Sequence, residues 1–254
     1  MDNKNRFLSS VYYDLYHRKP SYVSETNKAG SNNPGSESST EKELNAIIDE
    51  FYRKEGMKNP ENEETAPFKP EEIRAEIEKL VGLSNVKEDI EALMDFVKIQ
   101  KLRKEHGLSG SSISLHTAFL GNPGTGKTTV ARLMGEYFRA LGVLKKGHIV
   151  EVTRADLVAE FVGGTAVKTN KVIDRALDGI LFIDEAYSLA EGGDNDFGKE
   201  AINILVDRME KERDRLAVFL AGYTDRMETF LKSNPGLSSR VPRKFYFKDY
   251  TGAE

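Results

Sequence analysis

The feature that most constrains this chain is a glycine-rich octapeptide, GNPGTGKT, at residues 121–128. It fits the pattern G-x-x-x-x-G-K-[ST], with an apolar run before it and a helix-forming sequence after it. Glycines in such a loop let backbone N–H groups curl around a phosphate, and the following helix directs the positive end of its dipole to the same place. The octapeptide therefore predicts a phosphate-binding loop between a strand and a helix.

This loop supplies most of the candidate binding residues. We expect Lys127 to contact the β- and γ-phosphate oxygens and Thr128 to offer its hydroxyl to Mg²⁺, so ATP and Mg²⁺ are the expected cofactors. The predicted nucleotide-binding residues of the loop are Gly121, Asn122, Pro123, Gly124, Thr125, Gly126, Lys127, Thr128 and Thr129.

A second apolar run, ILFIDE at residues 180–185, ends in two acids. Buried charges cost several kcal/mol unless they are paired or bound to metal, so the packing of the strand does not explain why two acids follow it. Beside the phosphate loop, Asp184 can hold Mg²⁺ through water, and Glu185 can orient and deprotonate an attacking water, a role worth about 10²–10⁴-fold in rate. The alternative is a solvated strand end.

Apolar strands and amphipathic helices alternate from Pro70 onward, which predicts an α/β fold of the P-loop NTPase type: a parallel sheet flanked by helices. The predicted strands are Leu115–Leu120, His148–Val152, Ile180–Ile183, Leu216–Leu220 and Phe245–Phe247. The predicted helices are Glu71–Lys79, Asn85–Arg103, Lys127–Leu141, Thr169–Leu177 and Phe197–Glu212.

Residues 1–70 differ from the remainder and predict an N-terminal extension with flexible linkers, ahead of an ATPase core at residues 71–254. Ser24–Thr40 is dominated by small polar residues, glycine and proline, a composition that is too polar to bury a core. Two short apolar islands, Phe7–Tyr16 and Glu41–Lys54, lie around this linker. Either they pack on the core or they dock to a partner.

Composition excludes several classes of protein. The chain has no Cys, and its four His show no metal-ligand spacing, which argues against a zinc enzyme. No apolar run approaches the ~18 residues of a membrane span, and the N-terminus lacks an apolar signal segment, so we expect a cytoplasmic protein without a membrane partner. The net charge of −4, with no basic block, argues against a large nucleic-acid footprint.

Several motifs in order resemble AAA+ ATPases of the CbbX/CfxQ family, which includes red-type Rubisco activases and stage V sporulation protein K. The resemblance covers roughly residues 80–250. The motifs are NPGTGKTTVARL (122–133), TAVKTNKVIDRAL (165–177), GILFIDEAYSL (179–189), FGKEAINILVDRME (197–210), LAGYTDRM (220–227) and NPGLSSR (234–240).

The resemblance implies further site residues. Val81, Gly82 and Leu83 look like the segment that lies against adenine. Thr224 stands where the family has a polar residue that positions the attacking water, with Tyr223 as the alternative.

Arg240 matches the family's arginine finger, which reaches the γ-phosphate bound by the neighbouring subunit and is typically worth ~10³–10⁵ in rate. The alternative is a surface ion pair. The family often has a basic residue two positions earlier, where this chain has Ser238.

Glu160–Gly164 is similar to the family's pore loop, in which Phe161 and Val162 would grip an extended polypeptide and Gly163 would let the loop move. The alternative is that Phe161 belongs to the core.

The family has a helical lid after the sheet, and nothing after Asp249 supplies one, so we expect the large AAA+ subdomain without its lid. The resemblance implies an ATPase that remodels or threads a protein client through the pore of a homo-oligomeric, hexameric ring, with assembly expected where a lid is present. The alternatives are a nucleotide-dependent assembly scaffold or a type VII secretion-like ATPase. A nucleic-acid loader is less favoured, because Glu160 stands beside Phe161 where a basic residue would be expected.

Overall fold

The computed structural model describes residues 69–108, 114–192 and 196–252. The chain separates into units 1–63 and 64–254, and the described residues all belong to the second. The predicted linker and both apolar islands lie outside the described residues, and the domain boundary near residue 70 stays a prediction.

Eight α-helices and five strands follow one another along the described part of the chain. The helices are α1 (Pro70–Lys79), α2 (Ser84–Glu105), α3 (Lys127–Ala140), α4 (Arg154–Leu157), α5 (Gly164–Ala176), α6 (Gly198–Lys211), α7 (Thr224–Ser233) and α8 (Pro235–Arg240). The strands are β1 (Thr117–Gly121), β2 (Ile149–Val152), β3 (Gly179–Ile183), β4 (Leu216–Gly222) and β5 (Arg243–Phe247), and a 3₁₀ helix, Ala186–Ala190, follows β3.

The strands form one parallel sheet in the order β2-β3-β4-β1-β5. β1, which leads into the glycine-rich loop, lies between β4 and β5, with Thr117 opposite Phe219 and Arg243. Parallel sheets bury both faces, and β1, β3 and β4 are buried along their whole length. The predicted fold class is confirmed.

Alternate residues of β1, β3 and β4 supply two separate hydrophobic cores. Phe119 belongs to the face covered by α1, α2 and α3, whereas Ala118 and Leu120 belong to the face covered by α5, α6, α7 and α8. The Phe119 ring lies 4.8–6.1 Å, centre to centre, from the rings of Phe182, Phe219, Phe245 and Phe247. Burying each such side chain stabilises the fold by about 2–3 kcal/mol and fixes the centre of the sheet under the loop.

Most predicted boundaries lie within two residues of those in the structure, and two of the differences affect the site. Helix α5 begins at Gly164, well before the predicted Thr169, because the glycines that suggested a loop serve as the N-cap and first turn of the helix. The strand expected to end at Leu220 continues to Gly222, so Thr224 begins α7 rather than ending a strand.

Candidate nucleotide-binding site

The carboxyl ends of β1, β3 and β4 meet at one edge of the sheet and surround a cavity of about 340 Å³. The residues lining it are Gly121, Pro123, Gly124, Gly126, Lys127, Thr128, Thr129, Asp184, Glu185, Gly222 and Tyr223. The cavity thus brings together the glycine-rich loop and the two acids, which lie far apart in the sequence. Its volume is within the range of small-molecule sites.

The loop's glycines serve two different purposes. Gly124 and Gly126 have φ angles of +76° and +90°, a left-handed conformation that side chains disfavour. Gly121 is needed for close packing instead, because a Cβ atom there would lie 2.3 Å from the carbonyl oxygen of Phe247 on β5. The Thr125 hydroxyl donates to the Asn122 carbonyl at 2.8 Å and closes the loop on itself.

Lys127 begins α3 and points back into this loop. Its ammonium donates to the carbonyl oxygens of Gly121 at 2.9 Å and Asn122 at 2.6 Å. Burial lowers the pKa of Lys127, and the charge of Asp184 opposes that shift. A cation held in a partly desolvated position beside backbone donors suits the anionic oxygens of a polyphosphate.

Asp184 and Glu185 follow β3, and both are exposed at the cavity. The Asp184 N–H donates to the Val152 carbonyl at 2.9 Å, and the Glu185 N–H donates to Asp184 Oδ1 at 3.0 Å. Glu185 has a φ angle of +46°, an uncommon conformation for a residue with a side chain and one that is concentrated at functional sites.

The donor set at this cavity fits Mg²⁺. Thr128 and Asp184 both line it and offer a hydroxyl and a carboxylate, the hard oxygen ligands that Mg²⁺ prefers. Within the described ranges no group of three or more His, Cys, Asp and Glu side chains is placed to hold a metal. The hydroxyl of Thr128 and the carboxylate of Asp184 suit an ion that is held by few protein ligands together with substrate phosphates.

The structure separates the two candidates for the water-positioning residue. Tyr223 is the N-cap of α7 and lines the phosphate cavity, whereas Thr224 is not among the residues lining that cavity and lines an adjoining cavity of about 730 Å³. Glu185 lines both cavities. Position alone favours Tyr223 as the residue that positions the attacking water, and this role stays a prediction for either residue.

The predicted adenine segment connects α1 to α2 beside the loop. Gly82 and Leu83 have φ angles of +62° and +58°, and Val81 is exposed. Leu83 is the member that approaches the phosphate loop, since a Cβ atom on Gly126 would lie 3.6 Å from Leu83 Cδ1. Leu83 also lines a cavity of about 200 Å³ with Tyr250.

One contact of the loop had no signal in the sequence. The Asn122 side-chain amide donates to both carboxylate oxygens of Asp249, at 2.9 and 2.8 Å. The phosphate loop is thereby tied to the segment that follows β5, a partner more than a hundred residues away.

Arg240 lies away from the phosphate cavity, at the end of α8 and before the amino end of β5. Its Nε is 3.4 Å from Glu210 Oε2, its Nη1 donates to the Gly236 carbonyl at 3.2 Å, and its carbonyl accepts from the Ser114 hydroxyl at 3.0 Å. It is not among the residues that line the phosphate cavity of its own chain.

His116 is a buried titratable residue just before β1. Its Nδ1 accepts from the Val218 N–H at 3.0 Å, so its Nε2 carries the proton and donates to the Met209 carbonyl at 3.0 Å. Burial lowers the pKa of His116 to about 4, and the nearby Arg240 charge adds to the shift. The ring is neutral at pH 7.

The predicted pore loop follows α4. Phe161 and Val162 are 69% and 85% exposed, so Phe161 is not a core residue. The base of the loop is fixed, because the Ala159 N–H donates to the Thr165 hydroxyl at 3.0 Å and the Lys168 ammonium donates to the Val158 carbonyl at 3.1 Å.

Comparison with known proteins places this site in a family. Residues 117–249 match AAA, the ATPase family associated with various cellular activities, and the chain belongs to that family. Among its relatives is "Protein CfxQ homolog" of Galdieria sulphuraria, 44% identical over 217 residues that cover 83% of this chain and 71% of the relative. The predicted ATPase class and the resemblance to the CbbX/CfxQ group are confirmed.

Two other relatives carry different names. Stage V sporulation protein K of Bacillus subtilis is 51% identical over 180 residues, which cover 71% of this chain and 56% of that protein. A chloroplastic ribulose bisphosphate carboxylase/oxygenase activase of Cyanidioschyzon merolae is 49% identical over 177 residues. These residues cover 69% of this chain and 60% of that protein. The chain thus spans less than two thirds of these two relatives. No helix in its described part is long and apolar enough to cross a membrane.

Proposed function

We propose that this chain hydrolyses ATP and uses the energy to remodel a protein client, or to thread it through the central pore of a ring, in the cytoplasm. The observation that carries the proposal is the 340 Å³ cavity, which joins the phosphate loop to an adjacent pair of carboxylates. Binding alone would need only the loop, whereas hydrolysis needs a base beside it.

The residues of the cavity and its surroundings have distinct roles in this proposal. The backbone of the loop and Lys127 bind the β- and γ-phosphates, and Thr128 and Asp184 would hold Mg²⁺, which neutralises phosphate charge when bound. Glu185 accepts the proton of the attacking water. Tyr223 or Thr224 positions that water, and Val81, Gly82 and Leu83 contact the adenine.

Two features away from the cavity support the proposal that the chain acts on a protein client as part of a ring. Phe161 and Val162 are large apolar side chains that are exposed on an anchored loop, which suits transient packing against client side chains of varied sequence. Arg240 lies outside its own phosphate cavity, which fits a finger that acts on a neighbouring subunit. Head-to-tail contacts of this kind close into rings, and the family resemblance favours six subunits.

The chemistry is tested by replacing the base. We expect Glu185→Gln to bind ATP as the wild type does and to hydrolyse it at least ~10²-fold more slowly, because the amide keeps the shape but cannot take a proton. Single-turnover hydrolysis with protein in excess gives the rate. Glu136→Gln, an exposed residue of α3, is the matched control. Equal hydrolysis by the wild type and Glu185→Gln would contradict the proposal and favour a nucleotide-dependent scaffold.

Assembly is tested by mixing two inactive variants. Arg240→Ala retains an intact cavity and Lys127→Ala retains an intact finger, so a ring that contains both recovers some activity if the finger acts in trans. Mass photometry with and without ATP establishes whether both variants assemble. Mixed rings without recovered hydrolysis would assign Arg240 to its surface contact with Glu210 alone.

A further inference from the structure

The segment that follows β5 contacts the start of the phosphate loop through side chains. The parallel pairing between β1 and β5 ends with Gly121 opposite Phe247. One residue further along the loop, the Asn122 side-chain nitrogen donates to Asp249 Oδ1 at 2.9 Å and to Asp249 Oδ2 at 2.8 Å. This contact continues the attachment of β1 to β5 beyond the last backbone pair, where the phosphate loop begins.

Asn122 is also the residue on which the rest of the loop is fastened. Its carbonyl oxygen accepts from the Thr125 hydroxyl at 2.8 Å and from the Lys127 ammonium at 2.6 Å. The side chain of Asn122 is therefore bound to Asp249, while its backbone holds the two loop residues that follow. A displacement of Asn122 would move the shared acceptor of Thr125 and Lys127.

Asp249 is held in place by the residues on both sides of it, although its own side chain is exposed. Before it, Phe247 ends β5 and belongs to the core that α1, α2 and α3 cover. After it, Tyr250 reaches the other end of the loop, since a Cβ atom on Gly126 would lie 3.4 Å from the Tyr250 hydroxyl oxygen. A carboxylate with both chain neighbours attached gives Asn122 a fixed partner.

The position of Asp249 does not suit a direct part in phosphate binding. Neither Asp249 nor Asn122 is among the residues that line the 340 Å³ phosphate cavity. A carboxylate facing that cavity would repel phosphates, whereas the Asp249 carboxylate is directed to the Asn122 amide. An effect of Asp249 on nucleotide binding therefore passes through the loop.

We propose that Asp249 is a positioning residue for the phosphate loop and acts through Asn122. The proposal rests on the proposed binding of the ATP phosphates by this loop. A loop that is already ordered binds a ligand of fixed shape more tightly, because less conformational freedom is lost on binding. Without Asp249, the start of the loop keeps only its backbone pairing to β5, and binding has to restore the position of Asn122.

The direct test is Asp249→Ala, which leaves every residue of the loop unchanged and removes the acceptor for Asn122. We expect the affinities for ATP and for inorganic tripolyphosphate to fall equally, each about fivefold, because the loop holds phosphates and not the base. The matched control is Asp207→Ala, which removes an exposed carboxylate of α6 that accepts from Lys211 at 2.8 Å and should change neither affinity. Competition against a fluorescent ATP analogue gives the affinities, and thermal unfolding establishes that both variants fold.

Exchanging the two side chains separates this pair from a general effect of substitution. Asn122→Asp alone sets two carboxylates against each other, and we expect tripolyphosphate affinity to fall at least about tenfold. Adding Asp249→Asn restores an amide opposite a carboxylate, with donor and acceptor reversed and the net charge of the wild type. The double variant should recover most of the lost affinity.

The outcomes distinguish the inference from the function on which it rests. Undiminished tripolyphosphate affinity in Asp249→Ala, or a double variant that binds no better than Asn122→Asp alone, would overturn the inference. A loss of affinity for ATP without one for tripolyphosphate would also overturn it, since Asp249 would then act on the base. Undiminished binding by Lys127→Ala would instead contradict the proposed function, because this loop would not hold the phosphates.

Discussion

Two loops of this molecule, one after strand β1 and one after helix α4, are built in opposite ways. In the phosphate loop, residues 121–128, backbone atoms form the binding surface and the lysine is buried against carbonyl oxygens. In the predicted pore loop, residues 160–164, the apolar side chains face solvent, and a hydroxyl and an ammonium group fix only the base. A ligand of fixed shape needs a preorganised backbone, whereas a client of varied sequence needs only accessible apolar surface.

The largest expected difference concerns one glycine from each loop. Gly121→Ala places a Cβ atom 2.3 Å from a backbone oxygen of β5, and we expect it to lower the free energy of unfolding by more than about 3 kcal/mol. Gly163→Ala meets no atom within 4 Å and has only the strain of a φ angle of +81°, roughly 1–2 kcal/mol. Urea unfolding measures both, and equal losses would contradict the distinction.

A pair of lysines gives the next largest effect. Lys127→Ala removes the buried cation of the phosphate loop, and we expect ATP affinity to fall at least ~10²-fold, about 2.7 kcal/mol. Lys168→Ala removes a cation from the base of the pore loop and should leave ATP affinity unchanged. Titration with a fluorescent ATP analogue compares them. Undiminished binding by Lys127→Ala would refute the phosphate-site assignment.

Acid should destabilise the sheet beneath the phosphate loop through His116. Its pKa is about 4 in the folded chain and about 6.5 when unfolded, so below pH 6.5 the unfolded state binds a proton that the folded state does not. Stability is therefore lost as pH falls from 6.5 towards 4, by about 2 kcal/mol at pH 5. NMR titration of the His116 ring measures the folded pKa directly, with exposed His106 as the reference, and a His116 value near 6.5 would contradict this.

The smallest expected effect on stability is at the tip of the pore loop. Phe161→Ala should change the free energy of unfolding by less than about 0.5 kcal/mol, because the ring is 69% exposed. Basal ATP hydrolysis should likewise persist, whereas stimulation by an unfolded polypeptide such as casein should be lost. A destabilisation of 2 kcal/mol or more in urea unfolding would mean that the ring packs in the core.

The sheet and the two acidic positions could be predicted because each is a local pattern. The octapeptide and the ILFIDE run have fixed spacing relative to their strands, and the structure brings both to one cavity. The contact between Asn122 and Asp249 could not be predicted, because no local pattern specifies a polar pair so far apart in sequence.

The position of β1 in the sheet has a consequence for how the chain acquires its binding site during synthesis. Thr117 pairs with Phe219 and Arg243, so both neighbours of β1 leave the ribosome about a hundred or more residues after it. Contacts between such distant segments form late, after the entropy of a long loop has been lost. A nascent chain released before β4 would contain the whole glycine-rich motif and both acids, yet it would have no cavity in which to hold a phosphate.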